Sequence, residues 1–337
     1  MHSFLDPAIL FFAFGILAGC VKSNLEIPQP ISRFLSLYLL MALGLKGGFA
    51  LAKSGLTAEV AASLGAAVLL AMLVPLLAYR LLKRIVSPFD AAAVAATYGS
   101  VSAVTFITAS QYLDTQGIAY GGHMAAAMAL MESPAIVIAV VLANTLRRQA
   151  PAPALLPGAN GTAVLGGAGG QGSGMGKILH ESFTDGTQLL LLGAMLVGLL
   201  SGEAGKAAMA PFSVDLFKGM LAFFLLDMGL LTARNLGKLR GQSGWLLAYA
   251  AGAPVLHAGL ALGLSVLLGL SAGNAALLMV LAASASYIAV PAVLRYAIPE
   301  ANPSMYFSMS LGITFPLNIL LGIPAYTHVA ALVLGRA

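Results

Sequence analysis

Apolar residues in this chain gather into long runs separated by short polar joints. Many runs reach eighteen residues or more with few charges, long enough to cross the ~30 Å hydrocarbon core of a bilayer as helices. Ten such runs fit, at about 7–21, 31–51, 60–82, 90–110, 122–144, 186–202, 211–232, 244–268, 273–297 and 304–334. One stretch departs from the pattern. Thr97 to Phe106 reads TYGSVSAVTF, placing a glycine, two serines and two threonines inside an apolar helix.

Composition excludes a soluble domain. Hydrophobic residues make up 59% of the 337 positions, charged residues only 9%, and mean hydropathy is +0.93. So few charges cannot cover a water-exposed surface of this size. The net charge of +5 is scattered over the joints, so no nucleic-acid patch is indicated. Leu17-Ala18-Gly19-Cys20 resembles a lipoprotein cleavage box, but Met1 to Asp6 holds no Lys or Arg, and the segment is read as the first span. A single cysteine rules out an intramolecular disulfide and a cysteine metal cluster.

The two halves look like copies. Residues 151–177, PAPALLPGANGTAVLGGAGGQGSGMGK, lack apolar periodicity and read as a connector. Their GQGSGMGK end fails as a phosphate loop, because Gln171 takes the first glycine position and Ile178 follows Lys177. Around the connector, GILAG (15–19) matches GLLSG (198–202) and MALGLKGGFAL (41–51) matches LDMGLLTARNL (226–236). DAAAVAATYGSVSAV (90–104) matches NAALLMVLAASASYI (274–288), and ESPAIVI (132–138) matches TFPLNIL (314–320). The offsets of 183, 185, 184 and 182 residues are nearly constant, which implies duplication. The expectation is a first repeat at 1–150, a cytoplasmic linker at 151–180 and a second repeat at 181–337. Five spans per copy force the second to sit upside down. The predicted fold is therefore an all-α polytopic membrane protein of ten transmembrane helices, two inverted five-helix repeats with helices 4 and 9 broken.

Orientation follows from Lys and Arg. Joints on the linker side hold twelve of them (Lys22, Arg33, Arg80, Lys83, Arg84, Arg147, Arg148, Lys177, Arg234, Lys238, Arg240, Arg295) and the terminal side five (Lys46, Lys53, Lys206, Lys218, Arg336). The positive-inside rule puts the linker in the cytoplasm and both termini outside, in the periplasm of a bacterial inner membrane.

The duplication pairs Gly99, Ser100, Val101 and Ser102 with Ala283, Ser284, Ala285 and Ser286, with the helix breaker Pro291 after the second cluster. Backbone in lipid unwinds only where protein or a wet cavity receives its N–H and C=O groups. Two facing breaks can aim half-helix N-termini at one small anion, with serine hydroxyls as donors and small side chains permitting close approach. Small hydroxyl residues also serve plain helix packing, and a matched pair of clusters favours a site over that reading. Oxygen donors for a hard monovalent cation are Thr97, Ser102, Thr105, Glu132, Ser286, Thr314 and Asn318. Asp227 falls inside an apolar run and is either a cavity group or a local ion pair or cap. His2, His123, His180, His257 and His328 are dispersed, so no metal other than sodium is expected.

The TYGSVSAVTF and ASASYIAVPAV segments, the ten spans and the mid-chain linker together resemble the cyanobacterial-type sodium-dependent bicarbonate transporter family, from about residue 5 onward. The resemblance implies a homotrimer whose protomers have a gate domain (helices 1, 2, 6, 7) and a core domain (helices 3–5, 8–10). It implies bicarbonate bound with Na+ as coupling ion between helices 4 and 9, no organic cofactor, and inhibition by a PII-like regulatory protein on the cytoplasmic side. Rival readings are a sodium symporter for another small anion such as a monocarboxylate, an anion channel, and an intramembrane serine hydrolase. A larger or dianionic substrate calls for an arginine that neither serine cluster has nearby. The hydrolase needs a base beside Ser100 or Ser102, and His123 lies beyond the span.

Overall fold

The computed structural model describes residues 6–55, 57–149, 186–237 and 242–335; the linker expectation therefore lies outside the described residues. All regular structure there is helical. The helices are α1 (Pro7–Cys20), α2 (Gln29–Ser54), α3 (Ala58–Leu82), α4 (Pro88–Gly99), α5 (Ala103–Gln116) and α6 (Met124–Gln149). After the linker come α7 (Gly186–Ala210), α8 (Phe217–Leu236), α9 (Gly244–Leu268), α10 (Ala272–Ala283), α11 (Ala289–Ala297) and the composite α12 (residues 303–334). Among the described residues seven helical stretches are long and apolar enough to cross a membrane, and α1 and α10 are shorter apolar helices.

Local chemistry sets many of the ends. Asp6, Thr57 and Ser87 cap α1, α3 and α4 by accepting the N–H of Ala8, Val60 and Asp90. Gly117 and Gly269 close α5 and α9 in the left-handed region, where a side chain would be strained. The stretch Leu189–Leu236 counts 48 residues, about twice what one crossing needs, and it breaks at Gly202 (φ 55, ψ −143). A π-helical turn at Pro211–Asp215 then leads into α8.

Glycine decides how the helices pair. A Cβ on Gly15 of α1 would lie 2.3 Å from the Leu226 carbonyl oxygen of α8 and 3.1 Å from Gly229 Cα. On Gly198 of α7 it would lie 2.6 Å from the Leu45 carbonyl oxygen of α2 and 3.1 Å from Gly48 Cα. Thus α1 packs on α8 and α2 on α7, backbone against backbone, as small residues permit in lipid.

The remaining helices form a second group: α3 packs with α4 and α6, and α10 with α9 and α12. Beyond their first turns the two half-helices α4 and α10 are largely apolar on every side and lie in the interior, as such helices must. The α4–α5 stretch has 94% of its apolar window buried, against 33% for α9, whose Val255, Leu256 and Leu267 face outward. Two π-helical turns in α12, Ser310–Thr314 and Asn318–Gly322, flank Pro316 and widen that helix beside α10.

Candidate functional site

Helix α4 stops at Gly99 and α10 at Ala283, and the next residue in each, Ser100 and Ser284, is extended (ψ −179 and 165). The two interrupted segments then bind each other. Ser102 N–H donates to Ser284 Oγ at 2.9 Å, and Ser286 N–H donates to the Thr97 carbonyl at 2.9 Å. Each break thereby supplies partners for backbone that the other leaves without a helical one, which is how irregular backbone is tolerated at membrane depth. The Ser102 and Ser286 amides are thereby taken by protein.

Chain direction resumes through the same serines. Ser102 caps α5, its Oγ accepting from Thr105 N–H at 3.2 Å and Thr105 Oγ1 at 2.9 Å. Ser286 Oγ accepts from Val290 N–H at 3.3 Å in the first turn of α11. The N-termini of α5 and α11, the positive ends of their dipoles, border one cavity of about 70 Å³ through Ala103, Val104 and Ala289. At ~10–15 Å³ per water centre this holds a small ion with some of its hydration.

Val101, Ser102 and Ser286 line the cavity from the breaks, Glu132 from α6, Ser36 from α2 and Phe224 from α8. Hydroxyls donate a hydrogen bond to an oxyanion and offer an oxygen lone pair to a cation, so they suit either charge. A carboxylate at Glu132 disfavours a lone anion and favours an anion accompanied by a cation.

Other sequence candidates stand behind this wall and do not border the cavity. Gly99 is small for a different reason than an ion's approach: a Cβ there would sit 2.6 Å from Pro75 of α3. Ser100 Oγ is buried without a hydrogen-bond partner, and Ala283 and Ala285 are fully packed. Thr97 Oγ1 donates back to the Ala93 carbonyl at 2.9 Å, and Thr314 Oγ1 to the Ala250 carbonyl at 2.8 Å while pairing with the Tyr98 hydroxyl. Asn318 Nδ2 donates to the Ala283 carbonyl at 2.8 Å, pinning the end of α10, and its Oδ1 accepts from Tyr326. Asp227 accepts from Ser32 Oγ, joining α8 to the first turn of α2. His257 is buried on α9. Sequence reasoning missed Ser36, Thr187 and Phe224, which face the cavity from helices with no polar cluster to mark them.

The comparison that decides the family is with a profile of the Na+-dependent bicarbonate transporter superfamily, which matches residues 7–331. The chain belongs to that superfamily. It is a superfamily of transporters, not of enzymes, and its name implies bicarbonate and Na+ as the transported species. With the apolar helices, membership makes this a multi-pass membrane protein. A comparison with curated proteins returned no match.

Proposed function

We propose that this superfamily member imports bicarbonate with sodium by alternating access. The observation that carries the reading is the meeting of the two helix breaks beside a hydroxyl-lined cavity that also holds a carboxylate. The anion is met by Ser102, Ser286 and the N-terminal turns of α5 and α11. Sodium is drawn by Glu132 and the hydroxyl and carbonyl oxygens around the breaks, with Thr97, Thr105, Thr314 and Asn318 supporting them. Bringing a monoanion into a negative interior costs about 2.3 kcal/mol per 100 mV. One sodium cancels that charge, and a second adds driving force.

We read the chain as ten spans in two inverted repeats, an arrangement that suits this mechanism. In that reading α4 with α5 is the fourth span and α10 with α11 the ninth, and the glycine contacts pair each copy's first helix with the other copy's second. The gate is then α1, α2, α7 and α8, and the core the rest, with the cavity between them. Trimer assembly, a PII-like partner and both termini outside a bacterial inner membrane come with the family resemblance and the charge bias. A cysteine at Gly170 should react with impermeant reagents only from the cytoplasmic face.

The functional test is uptake of labelled bicarbonate into proteoliposomes with sodium exchanged for potassium or choline. Uptake that collapses without sodium supports coupling; equal rates remove it. Stimulation by internal bicarbonate separates a carrier from a channel, and competition by monocarboxylates tests the alternative substrate class.

A further inference from the structure

A second and larger cavity, about 450 Å³, lies along the same seam toward the end of the molecule that carries Lys53, Gly117 and Gly202. It is lined by Lys46 and Lys53 of α2, Asp114 of α5, Tyr120, and Glu203 and Lys206 beyond the break of α7. The two cavities follow each other on consecutive turns of α2 and take different faces of the first turns of α5. Leu39 and Leu40 line the first and Leu43 the second; Val104 and Ile107 line the first and Phe106 the second. Leu43 and Phe106, both buried, line the second cavity beside residues that line the first. In the wall of the second cavity Gly47 of α2 and Gly122, just before α6, meet backbone to backbone: a Cβ on Gly122 would lie 2.3 Å from the Gly47 carbonyl oxygen. The seam is closed at this level.

One ion pair spans it. Lys46 Nζ lies 3.1 Å from Asp114 Oδ2, and each partner has its own anchor on its own side. The Lys46 ammonium also sits 4.4 Å from the centre of the Phe217 ring of α8, while Asp114 shares its side of the cavity wall with Tyr120. If the α2–α8 unit and the α5–α6 unit separate, Lys46 stays with Phe217 and Asp114 with Tyr120. The separation leaves an ammonium without its carboxylate at the entrance to the seam. The other cation–carboxylate contact in the cavity, Lys206 with Glu203, lies within one helix and does not depend on the seam.

We propose that this cavity is the anteroom of the transport route and that Lys46 is its anion-selecting residue, exposed to the incoming oxyanion when the seam opens and neutralised by Asp114 when it closes. The proposal rests on the transport reading above. A cleft lined by one sign of charge concentrates counter-ions. Here three lysines face one aspartate and one glutamate, and opening the seam would uncouple the Lys46 ammonium from its carboxylate, so that it is free for an oxyanion only when the route is open.

Two readouts test it, in a Cys20→Ala background that removes the sole thiol. The first is the ratio of reaction rates of anionic and cationic thiol reagents at Ala119→Cys, a position that lines the cavity. Lys46→Met should lower that ratio roughly tenfold, and Asp114→Asn, which frees the ammonium, should raise it. The second is uptake: Lys46→Met should raise the apparent KM for external bicarbonate and leave that for sodium unchanged. An unchanged ratio and KM in a transporting Lys46→Met variant overturn the role of Lys46 alone. A ratio that Asp114→Asn fails to raise does the same. Absence of sodium-dependent uptake in the parental chain overturns the transport reading, and this proposal with it.

Discussion

Asp90 and Asn274 do the same work in different halves of the molecule. Asp90 Oδ1 accepts the N–H of Asn302, ahead of α12, and Asn274 Oδ1 accepts that of Gly121, ahead of α6, both at 2.7 Å. Each sits in the first turn of a half-helix that ends at a break, and each ties that turn to the joint before the last helix of the other half of the chain. Their spacing of 184 residues is the offset of the serine segments, which supports the duplication proposed above.

The two anchors are not interchangeable. Asn274 is buried and its Nδ2 also donates to Glu59 Oε1 at 2.8 Å, whereas Asp90 is partly exposed and accepts from Ser87 Oγ. Asn274→Asp would set two carboxylates against each other and should destabilise the protein by ~1–3 kcal/mol, read as a lower unfolding temperature in detergent. Asp90→Asn should cost less. Equal effects would mean that Glu59 does not engage Asn274.

Close glycine contacts predict a steep steric response. A Cβ on Gly48 would sit 2.1 Å from the Met195 carbonyl oxygen, and on Gly229 2.3 Å from that of Phe12. Gly48→Ala and Gly229→Ala should each cost ~1–3 kcal/mol through forced separation of backbones. Gly193→Ala, with nothing within 4 Å, should be neutral or mildly stabilising in its helix. Size-exclusion profiles after graded heating would report the difference, and intact profiles for all three would refute the packing account.

The serines divide by position. Ser102 and Ser286 border the cavity, so Ser→Ala at either should raise the apparent KM for bicarbonate by about ten- to a hundredfold, as expected for a lost hydrogen bond to an ion. Ser284 binds Ser102 N–H from outside the cavity lining, so its alanine variant should lower stability more than affinity. Ser110, whose hydroxyl returns to the Phe106 carbonyl at 3.0 Å, should be silent in KM. Parental KM values in well-expressed Ser102→Ala and Ser286→Ala proteins would assign these serines to packing.

Acid should weaken the joint before α6. Burial holds the His123 imidazole below its ordinary range, with the charge of Glu59 opposing that shift, so the neutral form is favoured in the folded protein. A folded pKa below the unfolded value near 6.5 means full stability above about pH 6.5 and loss as pH falls from there toward the folded pKa. The unfolding temperature should drop between pH 7 and 5, and His123→Gln should flatten that drop. A parental drop that survives the substitution would place its origin elsewhere.

Hydropathy is a local property, and the sequence alone was sufficient for the helical class, the approximate apolar spans and the weak points at TYGSVSAVTF and ASASYIAVPAV. Glycine and clustered hydroxyls lower helical preference wherever they stand, so both breaks were legible without coordinates. What the breaks do was decided by contacts between residues nearly two hundred positions apart, which no local pattern encodes. Ser102 N–H goes to Ser284 and Ser286 N–H to Thr97, a cross-connection of the two breaks that neither segment shows by itself. Gly99 yields space to Pro75, and Ser36, Thr187 and Phe224 face the cavity only because glycine contacts hold α2, α7 and α8 where they are. Lipid makes the helices inevitable, since backbone that faces hydrocarbon must be satisfied within its own helix. Which faces meet is left to close packing and to the few polar groups that find each other across the chain.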